Sequence, residues 1–215
     1  MRVTVLELPA RWGDPAAALA GVDARLARGP ETDLVLLPEA SLTGYISPRA
    51  EVDLSPFAEP LDGPTARALA DLAVRHRVHL VGPLVEADGL RRFNTMVGLA
   101  PDGARFLHYR KRHPWFPEQW ATPGDLPYPL ARIGGLAVTI ATCFDGHFLD
   151  DEAADGLAAA GLLLFPSAWV DDEDTLTPLL RGLAARHRVA IANANWCPGV
   201  VRLPGQGGSR IVAAG

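Results

Sequence analysis

Leu34-Val35-Leu36-Leu37-Pro38-Glu39 is the stretch from which the fold can be worked out. Its four leading apolar residues show no polar alternation, which is typical of a strand buried on both faces of a parallel sheet. The preceding segment Pro15–Arg28 places its apolar residues on one helical face, and Val3–Leu8 has the pattern of an earlier strand. A strand, a helix and a second buried strand in this order predict an α/β fold.

The alternation of strands and helices continues along the chain. Further helices are predicted from Gly63-Pro64-Thr65 onward, over Asp150–Ala160, and from Thr177-Pro178 to Arg188. Further strands are predicted over Val78–Val85, Thr95–Leu99, the segment ending near Tyr109, Leu136–Thr142, Leu162–Phe165, Val189–Ala194 and Ser209–Val212. The βαβαβ order near the start and again after Leu136 predicts two similar halves with helices over one face of each sheet. We expect them to form a single domain over residues 1–215.

The bulk composition argues against several classes of protein. The 215 residues carry a formal net charge of −5 and no basic stripe, so a nucleic-acid partner is not expected. No apolar run approaches the roughly 18 residues that span a bilayer, and the first residues lack the long apolar core of a signal peptide. We therefore expect a cytoplasmic protein that does not associate with a membrane. Cys143 and Cys197 make no disulfide framework and are candidates for chemistry or for packing.

One cationic residue type is used only once. Of the 20 Lys and Arg residues, Lys111 alone is lysine. The abundance of Ala, Gly, Pro and Arg indicates a GC-rich genome, in which a retained lysine suggests a site where a guanidinium fails. An ammonium is a compact charge whose pKa moves on burial, whereas a guanidinium is a wide plane that stays charged. Chance survival at a solvated strand end is the alternative.

Three reactive residues follow predicted strands: Glu39, Lys111 and Cys143. Ligands bind beyond the carboxyl ends of strands in α/β sheets, so these side chains could meet in one cleft. There a thiolate could attack an electrophilic carbon, and a carboxylate could take the thiol proton and later activate water. An ammonium could lower the thiol pKa and stabilise an oxyanion. Each residue alone also has a structural interpretation, such as a buried cysteine that packs as a small apolar residue.

Three motifs around these residues resemble those of the nitrilase, or carbon–nitrogen hydrolase, superfamily. They are Leu37-Pro38-Glu39-Ala40-Ser41-Leu42-Thr43-Gly44-Tyr45, Tyr109-Arg110-Lys111-Arg112-His113 and Thr142-Cys143-Phe144-Asp145, in the family's order and with matching intervals. Lesser landmarks are similar at Phe93-Asn94-Thr95, Phe165-Pro166-Ser167-Ala168-Trp169 and Asn193-Ala194-Asn195, which hold all three asparagines. The resemblance covers nearly the whole chain.

The resemblance implies a four-layer α-β-β-α sandwich and a triad that needs neither a metal nor an organic cofactor. Glu39 would be the general base, Lys111 the oxyanion stabiliser and Cys143 the nucleophile. The backbone N–H of Phe144 would be a second oxyanion donor. Glu118 fits a second acidic residue that the family often has after the lysine, although a solvated loop acid is the alternative. The expected substrate contacts are Tyr45, Trp115, Phe144 and Trp169.

The function implied is that of a thiol amidohydrolase, which cleaves a small linear amide or N-carbamoyl compound to an acid and ammonia. Phe144-Asp145 stands where true nitrilases usually have Trp-Glu, which favours amides over nitriles. An acyl transferase shares the first half-reaction and is one alternative. A non-catalytic binding or assembly subunit is another, because Gly146–Asp150 departs from the family's usual Phe-Pro-Glu. We expect a homodimer that pairs through Ala153–Ala160, with the C-terminal strand or tail after Ser209–Val212 short or missing.

Weaker constellations have structural alternatives. His147 could form a Cys-His pair with Cys143, but no third orienting residue is evident. His76 and His79 lack further ligands at a recognised metal-site spacing, so we expect them at a helix end. The glycine-rich stretch Gly205–Gly208 precedes a strand, whereas a phosphate cradle needs a helix N-terminus, so it is expected to be a turn.

Overall fold

A computed structural model of the chain describes residues 1–9 and 11–215. The strands in these residues are β1 (Val3–Val5), β2 (Leu34–Leu36), β3 (His79–Asp88), β4 (Arg91–Leu99), β5 (Arg105–Arg110), β6 (Ala131–Ile133), β7 (Leu136–Ile140), β8 (Leu162–Ser167), β9 (Ala190–Asn195) and β10 (Arg210–Val212). The α-helices are α1 (Pro15–Leu26), α2 (Pro64–His76), α3 (Leu149–Glu152), α4 (Ala154–Ala159) and α5 (Leu176–His187). Short 3₁₀ helices span Ser55–Phe57 and Cys143–His147.

The strands form two five-stranded sheets. The first is ordered β1-β2-β3-β4-β5, with β1, β2 and β3 parallel and the last two strands added as antiparallel hairpins. The second is ordered β10-β9-β8-β7-β6, with parallel β7, β8 and β9 between antiparallel edge strands. Each sheet therefore has the parallel centre that the two predicted βαβαβ halves require.

Three apolar cores separate four layers. Helices α1 and α2 pack on the outer face of the first sheet, where Val22 and Leu69 are buried. Helices α4 and α5 cover the outer face of the second sheet. Between the sheets lies a third core with Leu36 and Tyr109 from one sheet and Leu164 from the other. This arrangement confirms the predicted α-β-β-α sandwich, in which central strands are buried on both faces.

The structure differs from the sequence prediction in one helix, in an additional strand and in the length of the first strand. The single helix predicted over Asp150–Ala160 is divided into α3 and α4, because Ala153 adopts φ −132° and ψ 11°, outside the helical region. Strand β6 was not predicted. The first strand ends at Val5 rather than Leu8; beyond it, Leu6 N still donates to Leu36 O, and an isolated bridge pairs Pro9 with Cys197. Within the described residues, no helix has the length and apolar character needed to cross a membrane.

Candidate active site

Glu39 lies in a turn beyond β2 and is almost completely buried. Its Oε1 accepts hydrogen bonds from Asn94 Nδ2 at 2.8 Å and from Lys111 Nζ at 2.7 Å. Its Oε2 accepts one from the backbone N–H of Ala168 at 3.0 Å. Asn94 lies in β4 and Ala168 follows β8, so Glu39 is fixed by both sheets. These hydrogen bonds compensate the carboxylate for the water contacts that it loses on burial.

Lys111 directly follows β5 and its side chain has no exposed surface. Its backbone is held on both sides, by a hydrogen bond from Lys111 N to Asn94 O and one from Gly124 N to Lys111 O, each 2.8 Å. Its Nζ donates to Glu39 at 2.7 Å and to Glu118 at 2.6 Å. Burial favours the neutral amine, but the two carboxylates outweigh it and raise the pKa of Lys111 above its ordinary value. The ammonium therefore stays charged.

Glu118 is brought into the same site by the loop that follows Lys111. Its Oε1 accepts hydrogen bonds from Lys111 Nζ and, at 2.8 Å, from the hydroxyl of Tyr45. Its Oε2 lies 3.3 Å from Asn94 Nδ2, so this amide bridges the two carboxylates. Burial raises the pKa of Glu118, although Lys111 acts in the opposite direction. Glu118 is thus buried among polar partners and is not a solvated loop acid.

Cys143 is the first residue of the 3₁₀ helix after β7 and is buried. Its φ of 51° lies in the left-handed region that non-glycine residues rarely adopt. Backbone strain of this kind occurs at functional sites, where the surrounding structure enforces it. Burial and the negative charge of Glu39 raise the pKa of the thiol well above its ordinary value, and Lys111 lowers it only in part. The ammonium therefore lowers the pKa of the thiol, as expected, but burial and Glu39 outweigh this effect.

Asp145 connects the lysine segment to the cysteine turn and is fully buried. Its Oδ2 accepts hydrogen bonds from the hydroxyl of Tyr109 at 2.7 Å and from Thr142 N at 3.0 Å. Its Oδ1 accepts one from His113 N at 2.9 Å. Two of these donors flank Lys111 in the chain, and the third directly precedes Cys143. One carboxylate therefore fixes the position of both segments.

A cavity of about 210 Å³ opens at Cys143. Three of the four expected substrate contacts lie in its wall: Trp115, Phe144 and Trp169. The fourth, Tyr45, does not, because its hydroxyl is turned toward Glu118 and its ring packs against Trp196. The remaining lining residues are His147, Ala168, Val170, Asp171 and Thr175.

The three histidines that were considered as weaker candidate site residues make structural contacts. The ring of His147 packs against Phe144 and Trp169 in the cavity wall, at centroid distances of 5.2 and 5.7 Å. His76 is the last residue of α2 and contacts Asp23 at 2.6 Å. His79, at the start of β3, contacts the backbone oxygen of Asp33 at 3.3 Å, so the two histidines do not share a ligand.

Several functional contacts were not assigned from the sequence. Asn94, which bridges the two carboxylates, was noted only as part of a landmark, and Asp145 only as part of the cysteine motif. The scarcity of asparagine was the available signal for Asn94, parallel to the single lysine. Nothing in the local sequence marks the N–H of Ala168 as a donor to Glu39, because that contact joins residues 129 positions apart.

A sequence model of the carbon-nitrogen hydrolase family matches residues 4–214. The chain belongs to the carbon–nitrogen hydrolase family. This carbon–nitrogen hydrolase is 29% identical to a Pseudomonas protegens protein described as a hydrolase in the pqqF 5′ region, over all of this chain and 79% of that protein. It is 31% identical to an (R)-stereoselective amidase from a Pseudomonas species, over 67% of this chain and 52% of that protein.

Solved structures of an amidase from Nesterenkonia sp. AN1, a member of the nitrilase superfamily, have the same fold. A cysteine-to-alanine variant of that amidase in complex with butyramide is 28% identical with a TM-score of 0.88, over 100% of this chain and 83% of that one. In a glutamate-to-glutamine variant, the acetamide moiety of fluoroacetamide is added covalently at the active-site cysteine. That chain is 28% identical with a TM-score of 0.85, over 100% of this chain and 82% of that one. This chain is accordingly a carbon–nitrogen hydrolase that acts on non-peptide bonds.

Proposed function

We propose that this carbon–nitrogen hydrolase is an amidase. It would cleave a small linear amide or N-carbamoyl compound to an acid and ammonia through a thioester on Cys143. The observation that carries the proposal is the buried ammonium of Lys111, held between Glu39 and Glu118. Glu39 in turn accepts a hydrogen bond from Ala168, which lines the cavity that contains the thiol. The cavity is small compared with the several hundred Å³ of typical ligand pockets, which suits a short acyl chain.

The first half-reaction would begin with a protonated thiol, because the pKa of Cys143 is raised. Glu39 takes the thiol proton while sulfur bonds to the carbonyl carbon. The carbonyl oxygen becomes an oxyanion, which Lys111 Nζ and the backbone N–H of Phe144 stabilise. The C–N bond then breaks, the nitrogen takes the proton from Glu39, and ammonia leaves a thioester on the enzyme.

The second half-reaction would use the same groups with water. Glu39 takes a proton from water as the oxygen bonds to the thioester carbon, and the C–S bond breaks with return of the proton to sulfur. Glu118 would hold Lys111 together with Glu39, so that the ammonium keeps its position through both steps. The covalent adduct and the butyramide complex of the Nesterenkonia amidase support this sequence by similarity.

Ammonia release from butyramide, ureido acids and nitriles is the direct test. We expect release from amides, with nitriles much poorer, and loss of activity in Cys143→Ala but not in Cys197→Ser. Release of the acid without added amine supports a hydrolase. A product that forms only when an amine is added would make the enzyme an acyl transferase. Absence of turnover, with Cys143 no more reactive to iodoacetamide than Cys197, would indicate a non-catalytic subunit.

We also propose that the enzyme forms a homodimer that pairs through α4. This helix presents small exposed side chains at Ala154 and Ala158, which would let a second copy approach closely, while Leu157 packs on the enzyme's own sheet. A twofold dimer is the commonest closed assembly of soluble proteins. Light scattering should give twice the chain mass of 22.9 kDa, reduced by Ala158→Arg. A fully active monomer would refute pairing as a requirement.

A further inference from the structure

The wall of the Cys143 cavity has the composition of a receptor for a cation. Trp115, Phe144 and Trp169 supply aromatic rings, and Asp171 supplies a carboxylate. Among the described residues that line this cavity, none is Arg or Lys. Aromatic faces attract ammonium and guanidinium groups, and a nearby carboxylate adds to that attraction. An anionic substrate group would find no permanent positive charge in the same wall.

Asp171 is held in place before any ligand binds. Its Oδ2 accepts hydrogen bonds from Trp169 Nε1 at 3.2 Å, from Thr175 N at 2.7 Å and from the Thr175 hydroxyl. Its Oδ1 accepts one from Glu173 N at 2.8 Å. Burial raises the pKa of Asp171, but these bonds outweigh it and lower the pKa to about 2. The cavity therefore contains a negative charge whose position needs no ordering on binding.

The acidic character continues beyond this cavity. A neighbouring cavity of about 280 Å³ shares Trp169 and Asp171 with it. Its other acidic lining residues are Asp172, Glu173 and Asp174. The basic residue in this second wall, Arg210, pairs with Asp174 at 3.5 Å. Asp172 and Glu173 have no ion-pair partner within the part of the chain that the structure describes. The region where the two cavities meet, at Trp169 and Asp171, is therefore negatively charged.

We propose that the substrate is an amide whose acyl chain carries a positive charge at the end remote from the amide. The carbonyl carbon would lie at Cys143 and the ammonium or guanidinium would lie beside Trp169 and Asp171. Longer chains would reach the acidic neighbouring cavity. This inference rests on the proposed amidase function and narrows it, because amides and ureido acids with a free carboxylate would be repelled by Asp171.

Three linear amides test the effect of charge. γ-Aminobutyramide is cationic and has the same number of heavy atoms as neutral pentanamide, and glutaramate is anionic and slightly larger. We expect kcat/KM at low ionic strength to be roughly tenfold or more higher for γ-aminobutyramide than for pentanamide, with glutaramate the poorest. Added salt should narrow the difference, because it screens charges at a partly open cavity. ε-Aminocaproamide against heptanamide repeats the comparison for a longer chain.

A double variant tests how much the acidic residues of the neighbouring cavity contribute to the preference for a cationic substrate. Asp172→Asn with Glu173→Gln removes two charges without removing a side chain that holds Asp171, since Glu173 donates through its backbone. We expect the cationic-to-neutral ratio of kcat/KM to fall several-fold. The matched control, Asp71→Asn with Asp102→Asn, removes two exposed charges from α2 and from the turn before β5, at the end of that strand away from Lys111. Its ratio should equal that of the wild type.

The outcomes for the two proposals are distinguishable. Turnover of pentanamide without a preference for γ-aminobutyramide overturns the charged-substrate inference and leaves the amidase intact. A preference for glutaramate overturns it as well. If no amide is turned over, the amidase proposal fails, and ligand binding is then read from protection of Cys143 against iodoacetamide. Equal protection by γ-aminobutyramide and pentanamide would overturn the inference without reference to turnover.

Discussion

Asp145→Asn should lower kcat by about 100-fold while the protein remains folded, because a misplacement of about 1 Å can cost that much in rate. Asp145 accepts three hydrogen bonds, from Tyr109, His113 and Thr142. An asparagine has one acceptor oxygen. If the amide oxygen takes the place of Oδ2 and keeps its two hydrogen bonds, the amide nitrogen takes the place of Oδ1 and faces the N–H of His113. Two hydrogen-bond donors then oppose each other.

The structural cost can be worked out from this geometry. One part-buried hydrogen bond to a carboxylate is lost and the N–H of His113 is left without its acceptor, which together costs about 2 kcal/mol. In a domain of this size that is about 4–8 °C in Tm. Repulsion at His113 would move the backbone on one side of Lys111 away from the cysteine turn. The positions of the ammonium and the thiol then no longer match the transition state, so kcat falls more than KM rises.

Ammonia release measured well below the Tm of each variant separates positioning from stability. Tyr109→Phe is the matched control, because it removes one of the three bonds and introduces no opposing donor. It should cost about 2 kcal/mol, as expected for a hydrogen bond to a charged group, and change kcat by less than about tenfold. If Asp145→Asn lowers Tm as expected but retains the wild-type kcat, Asp145 is a structural residue only and the positioning argument is refuted.

Four further predictions concern neighbouring groups. Cys143→Ala should abolish turnover and Cys197→Ser should retain it, measured as ammonia release; the opposite result would show that the nucleophile is misassigned. Lys111→Arg keeps the charge but should lower kcat by ~10²-fold or more, since a planar guanidinium fits poorly between two carboxylates and an oxyanion. Glu39→Gln should lower the pKa of the Cys143 thiol, because the Glu39 charge raises it; thiolate absorbance against pH in the Cys197→Ser background is the measurement, and an unchanged pKa contradicts it. Burial raises the pKa of Glu86, but hydrogen bonds from side chains on β4 and β5 outweigh it and lower the pKa from 4.5 to about 2. The resulting stabilisation, about 3 kcal/mol, is present above the unfolded pKa and lost as pH falls toward the folded one; urea unfolding across acidic pH should show this loss in the wild type and not in Glu86→Gln.

The existence and order of the central strands could be predicted because their signals are local, although several strand ends differ by two or three residues. The run Leu34–Leu37 is apolar throughout and belongs to a strand buried between two layers, as does Leu162–Phe165. A reactive residue directly after such a run lies at the end of a strand wherever the strand goes. Glu39 follows the first of these strands and Lys111 follows β5, so the two could be expected in one cleft before any contact between them was known.

The loops could not be predicted in the same way, because distant contacts set their shape. The segment after Lys111 returns Glu118 to the lysine through hydrogen bonds such as Thr122 N to Arg92 O and Gly124 N to Lys111 O. A Cβ on Gly124 would overlap the carbonyl oxygen of Arg110, so this close return depends on glycine. The division of the helix at Ala153 and the raised thiol pKa likewise follow from packing, which has no local sequence signal.

Two adjacent cations, Arg110 at the end of β5 and Lys111 directly after it, explain why one position is lysine in a chain of arginines. Arg110 stacks on Phe93 at 3.9 Å and spreads its donors over three carboxylates, which a planar fork can do. Lys111 donates to two carboxylates at 2.6 and 2.7 Å in full burial. An ammonium has three donors, so one N–H remains. We expect that N–H to face the substrate oxygen, a role that requires a point charge between two fixed acids and that Arg110, with its donors committed, could not take over.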